Sequence, residues 1–193
     1  MKRKTNEFVA WGAITGIYKN KDDSHSITIV IKSGDRSNFP RFYTKEDVSG
    51  YNIGDHIVLE GYTRGYATKD SDSSSLHQFL VATSLAPQKT ICEEAFSGKK
   101  GSFYEHGDIR IFYQGTVTSV TESGQGWYHI SLLTDELKKD FVHFNLKASG
   151  CLTIPKKNDK AAFVCKVSTT KKEYDGQTKF YENIHVLDFG YPR

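Results

Sequence analysis

The chain has 193 residues and a mass of 21.8 kDa, which fits one large domain or two domains of about 90–100 residues. Its 26 basic and 23 acidic residues give a net charge of +3, too mild for a strongly cationic binder such as a histone. With 37% hydrophobic and 25% charged residues the chain is expected to fold, and 11 Tyr, 12 Phe and 2 Trp beside one Met favour an all-β structure.

Several classes of protein are excluded by missing patterns. No apolar run approaches the roughly 18 residues of a membrane helix, and no apolar stretch follows the basic N-terminus, so neither a membrane span nor a secretory signal is expected. Three cysteines (Cys92, Cys151 and Cys165) without a CxxC pair argue against a disulfide framework or a zinc site. We therefore expect a cytoplasmic protein, in the host cytoplasm if the gene is viral.

Alternating apolar and polar residues predict ten strands in two sets of five. In the first half they lie near 8–19, 25–32, 37–44, 55–64 and 77–86; in the second they lie near 108–121, 127–134, 140–147, 159–170 and 179–189. The stretches 45–54 and 148–158, each between a third and a fourth strand, predict a short helix or a turn. The Gly- and Lys-containing segment 87–107 predicts a linker with room for one helical turn around Glu93–Phe96.

The two halves align as a diverged repeat. Four blocks correspond in order: Gly12–Ile17 with Gly115–Val120, Ile27–Val30 with Ile130–Leu133, Phe39–Phe42 with Phe141–Phe144, and Gly54–Val58 with Asn158–Ala162. Their offsets stay between 102 and 104 residues, which a chance similarity would not maintain. The sequence therefore predicts a tandem duplication, with domains at 1–86 and 108–193 joined by the linker.

These features resemble the OB-fold, a five-stranded Greek-key barrel. The resemblance is carried by the Gly-containing first strand, in which Gly12 and Gly115 would allow a bend, and by the Gly-Asp or Asn-Asp turn before the fourth strand. It covers nearly the whole chain and implies two tandem OB-like barrels. OB-folds bind oligonucleotides across their second and third strands and the loops beside them. Other small barrels are the alternative.

The period of two assigns each strand residue to the core or to the surface. Val142, Phe144 and Leu146 are expected in the core, as are Ile27, Ile29, Ile31 and the residues Ile14, Ile17, Phe42, Tyr128, Ile130, Leu132 and Phe163. The outward residues of the first unit are then Trp11, Phe39, Arg41 and Tyr43. In the second unit Trp127 and His129 point outward beside Phe141 and His143.

Outward aromatic rings among cations suit single-stranded nucleic acid, because bases stack on rings while cations contact phosphates. The structural alternative is that these rings close the barrel ends or pack the two units together. The loops between the fourth and fifth strands add the candidates Arg64, Tyr66, Lys171, Lys172 and Tyr174; the alternative there is a solvated hairpin loop. No Walker loop, HExxH or GxSxG motif occurs, so we expect no enzyme activity, no cofactor and no metal.

The chain is similar to the single-strand binding proteins of phages and plasmids and to the tandem folds of replication protein A. That resemblance implies a protein that coats and protects single-stranded DNA in replication or recombination, largely without sequence preference. Its partners would be single-stranded DNA, with RNA left open, and replication or recombination proteins; a monomer or a homodimer is expected. The alternative function is a structural or assembly protein that uses paired OB-like barrels for protein contacts.

Overall fold

The structure, a computed structural model, describes six ranges of the chain: 5–33, 36–70, 73–88, 107–148, 153–174 and 177–192. It contains the strands β1 (Asn6–Lys19), β2 (His25–Ser33), β3 (Arg36–Asn38), β4 (Arg41–Thr44), β5 (His56–Asp70), β6 (Ser73–Pro87), β7 (Asp108–Gly124), β8 (Trp127–Asp135), β9 (Asp140–Lys147), β10 (Lys160–Tyr174) and β11 (Gln177–Gly190). The described ranges hold no helix, and hence none suited to crossing a membrane. The all-β prediction is confirmed. The predicted helical turn at 93–96 lies outside the described ranges, as do Cys92 and Cys151.

Contacts between residues divide the chain into two compact units. The N-terminal unit comprises Phe8–Tyr62 and Leu80–Ile109, and the C-terminal unit comprises Met1–Glu7, Thr63–Phe79 and Arg110–Arg193. The distal part of the β5–β6 hairpin and the start of β1 therefore group with strands from the second half of the chain.

The strand pairings of the C-terminal unit close a circuit of five strands. β7 pairs antiparallel with β8 and β10, β8 with β9, and β10 with β11. β9 and β11 pair in parallel at Asn145 and His185, which closes the barrel. In the N-terminal unit β1, β2, β4, β6 and β5 are neighbours in the same order, with β4 and β6 parallel and β3 added to β2. This arrangement is that of the OB-fold; the duplication of the sequence stays a prediction.

Most predicted strands lie within a few residues of the observed ones, and two differences have local causes. The predicted third strand at 37–44 is divided into β3 and β4, because Pro40 has no N–H to contribute to a ladder. The hairpin arms of β5 and β6 extend to Asp70 and from Ser73, beyond the predicted ends. The arms are rich in polar residues and lack the alternation of a half-buried strand.

The apolar residues assigned inward form one core in each unit. Phe42, Ile27 and Ile29 are fully buried in the N-terminal unit, and Val142 and Phe144 in the C-terminal unit. Further core residues confirmed as buried are Ile14, Ile31, Ile130, Leu132, Leu146 and Phe163. Cys165 on β10 is buried as well. Ile17 and Tyr128, also predicted for the core, are only half-buried.

Gly12 and Gly115 occupy positions where a neighbouring strand approaches very closely. A Cβ at Gly12 would collide with the carbonyl oxygen of Val30, and one at Gly115 with the carbonyl oxygen of Leu133. The irregularities in the first strand of each unit follow two or more residues later, between Ile14 and Gly16 in β1 and just after Val117 in β7. The glycines are thus needed for the close approach of the strands.

The β5–β6 hairpin is fixed in the C-terminal unit by side chains at its base. Asn6 Nδ2 donates to the Thr63 carbonyl at 2.6 Å, and the Thr63 N–H donates to Asn6 Oδ1 at 2.9 Å. The hydroxyls of Thr63 and Tyr113 share a buried hydrogen bond of 2.7 Å, and burial raises the pKa of the Tyr113 phenol. These bonds explain why the hairpin groups with β7–β11, which the boundaries predicted from strand order do not include.

Removing one of the two buried hydroxyls should lower the free energy of unfolding more than removing both. Tyr113→Phe or Thr63→Val leaves the other hydroxyl buried and unpaired, which should lower the free energy of unfolding by about 1–3 kcal/mol. The double variant removes both polar groups and should recover much of that loss. Urea unfolding of the four proteins measures the coupling; strictly additive losses would contradict the pairing.

Candidate functional site

The outward residues of β8 and β9 form one surface, here called the β8–β9 face. In register, Trp127 lies opposite Lys147, His129 opposite Asn145, Ser131 opposite His143 and Leu133 opposite Phe141. The six residue-to-residue steps from Trp127 to Leu133 span about 20 Å at the rise of a strand. Trp127 and Phe141 therefore lie at opposite ends of the face. The sequence placed Trp127 and His129 beside Phe141 and His143. His129 does stack on His143, whereas the turn after β8 sets a register that brings Phe141 opposite Leu133.

A tight turn places Trp127 at one end of the face. Gly124, Gln125 and Gly126 all have positive φ values, of 92°, 52° and 74°, a geometry that favours glycine and suits a two-residue hairpin loop. The Trp127 ring meets the His185 ring edge-on at 5.5 Å between centroids, and Lys147 Nζ lies 5.7 Å from its centroid. An aromatic ring with a cation beside it is thus held at the end of the strand pair.

Two histidines occupy the middle of the face. The rings of His129 and His143 are stacked, with centroids 5.7 Å apart and an interplanar angle of 6°. His143 Nδ1 shares a hydrogen bond of 2.9 Å with Ser131 Oγ, and His129 Nδ1 shares one of 3.3 Å with Asn145 Oδ1. Each ring is therefore oriented by a residue on the neighbouring strand, and His129 is the exposed member of the pair.

The two less exposed imidazoles are held in their neutral form. Burial, with a smaller contribution from His129, lowers the pKa of His143 to about 4. Burial, with Lys166 second, also lowers the pKa of His185, whose Nε2 shares a hydrogen bond of 2.7 Å with Ser168 Oγ. Near neutral pH these two rings are therefore uncharged, and Lys147 supplies the cation at the face.

The low pKa of His143 predicts a loss of stability in acid. An unfolded histidine titrates near 6.5, so between about pH 6.5 and pH 4 the unfolded chain binds a proton that folded His143 does not bind. Stability should therefore fall as the pH falls through this window. The His143→Gln variant should lose less thermal midpoint between pH 7.5 and pH 5 than the parent protein does. An identical pH dependence in the two proteins would contradict the assignment.

The far end of the face contains Phe141 and the β5–β6 hairpin. Phe141 is 39% exposed. A Cβ at Gly65 would stand 2.7 Å from the Phe141 carbonyl oxygen, so the hairpin passes close to β9. Gln78 bonds both main-chain groups of His143, donating from Nε2 to the carbonyl at 3.0 Å and accepting at Oε1 from the N–H at 2.8 Å.

The N-terminal unit has a smaller aromatic surface. Phe39, two residues before β4, is 39% exposed. Arg41 and Tyr43 alternate along β4 and are exposed and half-buried, respectively. Trp11 is half-buried on β1 and pairs with Val58 of β5, away from β4. The structure thus brings together three of the four residues proposed for this unit.

The structure describes the side chains of three of the five candidates in the loops between the fourth and fifth predicted strands. Arg64 is exposed in the hairpin arm of β5. Lys171 forms an exposed ion pair of 2.8 Å with Glu173, and Lys172 Nζ lies 5.6 Å from the centroid of the Tyr181 ring. The side chains of Tyr66 and Tyr174 lie outside the described part.

Sequence reasoning missed several contributors to the face. Lys147 was within reach, since it continues the outward alternation of Phe141, His143 and Asn145. His185 enters through the parallel β9–β11 pairing and Gln78 through the docked hairpin, and neither contact has a signal in the local sequence. No group of histidine, cysteine and acidic side chains that could hold a metal occurs in the described ranges.

Similarity to known proteins is confined to structure. No protein-family description matches the sequence, and no curated protein matches it. Among solved structures, the wild-type single-stranded DNA binding protein from Thermus aquaticus superposes with a TM-score of 0.62 at 12% identity, covering 100% of this chain and 95% of that chain. A deletion mutant of the Thermus aquaticus protein gives 0.62 at 11% identity, covering 97% and 94%. The fold is of the OB type. At this identity the likeness is one of fold.

Proposed function

We propose that this chain binds single-stranded DNA largely without sequence preference, coating and protecting it during replication or recombination. The β8–β9 face is the main contact surface, and the surface formed by Phe39, Arg41 and Tyr43 is a second one. The role requires no catalysis and no cofactor. DNA is favoured over RNA by analogy with the Thermus aquaticus protein, which is named for single-stranded DNA.

The observation that carries this proposal is the position of the accessible rings. Trp127, His129 and Phe141 lie on the second and third strands of an OB barrel, the pair across which such barrels bind oligonucleotides. Each base has a π-face, so stacking on these rings tolerates any sequence, at about 1–3 kcal/mol per base. Lys147 beside Trp127 supplies a cation for the phosphates.

The charge distribution favours the C-terminal surface. Residues 1–98 contain 12 basic and 12 acidic side chains, whereas residues 99–193 contain 14 and 11. The modest excess predicts few phosphate contacts, hence a shallow dependence on salt of about −0.7 in log affinity per contact for a single strand.

A fluorescence titration with labelled oligo(dT), oligo(U) and a matched duplex tests the proposal over a range of salt concentrations. The expected result is tightest binding of oligo(dT), weaker binding of duplex and a decline with salt. Equal affinity for single strand and duplex would contradict base stacking. An affinity that stays constant as the salt concentration rises would contradict the phosphate contacts.

One observation favours the alternative of an assembly module. Val164 on β10 is 37% exposed and Leu187 on β11 is 45% exposed. Val164 lies opposite Asp188, the residue after Leu187, and clustered exposed apolar side chains mark many protein interfaces. Light scattering over a concentration series, with and without oligo(dT), separates the two functions. Self-association that is unaffected by oligo(dT) would favour the assembly function over DNA binding.

A further inference from the structure

We propose that Gln78 is a positioning residue for the β8–β9 face, so that a hairpin from the first half of the chain completes a surface built by the second half. The inference rests on the proposed function for its binding readout. Gln78 acts through His143 and needs no contact with the nucleic acid.

The first step is the geometry at the edge of β9. β9 spans Asp140–Lys147, and its pairing with β11 is found at Asn145. At His143 the main-chain N–H and carbonyl are both bonded by the amide of Gln78, at 2.8 and 3.0 Å. The side chain thus serves β9 as a neighbouring strand would. An amide is suited to this role because it both donates and accepts.

The second step is the fixed base from which Gln78 extends. The hairpin is anchored at Thr63 by the main-chain and side-chain bonds to Asn6 and by the buried bond to Tyr113. Gly65 lies against the Phe141 carbonyl, where any larger residue would push the hairpin away. Gln78 is therefore attached to a docked element, which lets its two bonds define the position of β9.

The third step leads from the His143 main chain to the exposed rings. The His143 side chain bonds Ser131 and stacks on His129, and His129 bonds Asn145. A displacement of the main chain at His143 would move the stack and with it the ring that a base would meet. Gln78 thus influences the face at its centre, between Phe141 and Trp127.

The test uses the full-length Gln78→Met variant, which keeps the length of the side chain and removes both hydrogen bonds. Its affinity for oligo(dT) should fall about three- to tenfold, the effect of one or two neutral hydrogen bonds. The imidazole NMR signals of His143 and His129 should shift in the free protein, which a loss of global stability alone would not produce. Ser84→Ala, an exposed change on the same strand, is the matched control and should leave both readouts unchanged.

Parental affinity together with parental imidazole signals in Gln78→Met would overturn the inference. Weaker binding without a change in those signals would also overturn it, because Gln78 would then act on the nucleic acid directly. Should the Met variant fail to fold, Gln78→Asn is measured by the same criteria. Failure of the proposed function is distinguishable: parental oligo(dT) binding would then be absent, or insensitive to loss of Trp127 and Phe141, while the signals of the Gln78 variant still shift.

Discussion

Replacing Trp127 and Phe141 together by alanine should weaken oligo(dT) binding by about 2–6 kcal/mol, at about 1–3 per ring, and leave the thermal midpoint almost unchanged. The two rings lie about 20 Å apart on the face by strand rise, so their losses should add. Trp127 is half-buried and Phe141 is 39% exposed. Their removal therefore leaves no cavity in the core. Anisotropy of a labelled oligonucleotide and differential scanning calorimetry measure the two quantities.

Tyr62→Ala is the matched control, since Tyr62 is 38% exposed on β5 and is not one of the outward residues of β8 and β9. The pair Phe39→Ala and Tyr43→Ala should lose less affinity than the Trp127 pair, because the first half of the chain has no excess of positive charge. A collapsed midpoint with unchanged affinity would mean that the rings are structural. The loop tyrosines Tyr66 and Tyr174 would then become the candidates for stacking.

Phe144→Ala should lower stability rather than DNA affinity, reducing the free energy of unfolding by about 3–5 kcal/mol. Phe144 is 1% exposed and packs between Tyr113, at 5.5 Å between ring centroids, and Phe163, at 4.7 Å. Its removal deletes the centre of that aromatic cluster and leaves a cavity. Chemical denaturation at 25 °C measures the loss.

Phe144→Leu retains most of the volume and should lose much less stability, which separates cavity formation from any special role of the ring. At temperatures where the Phe144→Ala variant is still folded, its affinity for oligo(dT) should equal that of the parent protein, because Phe144 lies in the core and not on the β8–β9 face. A loss below about 1 kcal/mol would contradict the burial of Phe144, since cavities of this size are costly.

Much of the barrel could be predicted because its strands are half-buried. Alternation along β9 assigned Phe144 to the core and Phe141 to the surface, and the same period located Ile27 and Ile29. For such residues the local alternation of apolar and polar side chains predicts whether they are buried or exposed. The hairpin arms beyond Thr63 have no such pattern, so the sequence placed the end of β5 too early and the start of β6 too late.

The candidate site was predictable only as a set of outward residues. Which of them oppose one another depends on the turn between β8 and β9, and this placed Lys147, rather than Phe141, opposite Trp127. The contribution of Gln78 depends on a bond to a residue 65 positions later in the chain. Nothing near Gln78 in the sequence marks it as different from any other polar residue of a strand.

The docking of the β5–β6 hairpin has a consequence for the order in which the protein folds during synthesis. Thr63 leaves the ribosome 50 residues before Tyr113, and Gln78 leaves it 65 residues before His143. The hairpin therefore cannot dock until β7 and β9 have been synthesised, and until then its polar groups are hydrated. Contacts so distant along the chain slow folding, because loop closure precedes any gain from them. A ribosome that stalls after the first half would release a hairpin with no surface to dock on, and a second half made alone would expose the Tyr113 hydroxyl and the edge of β9.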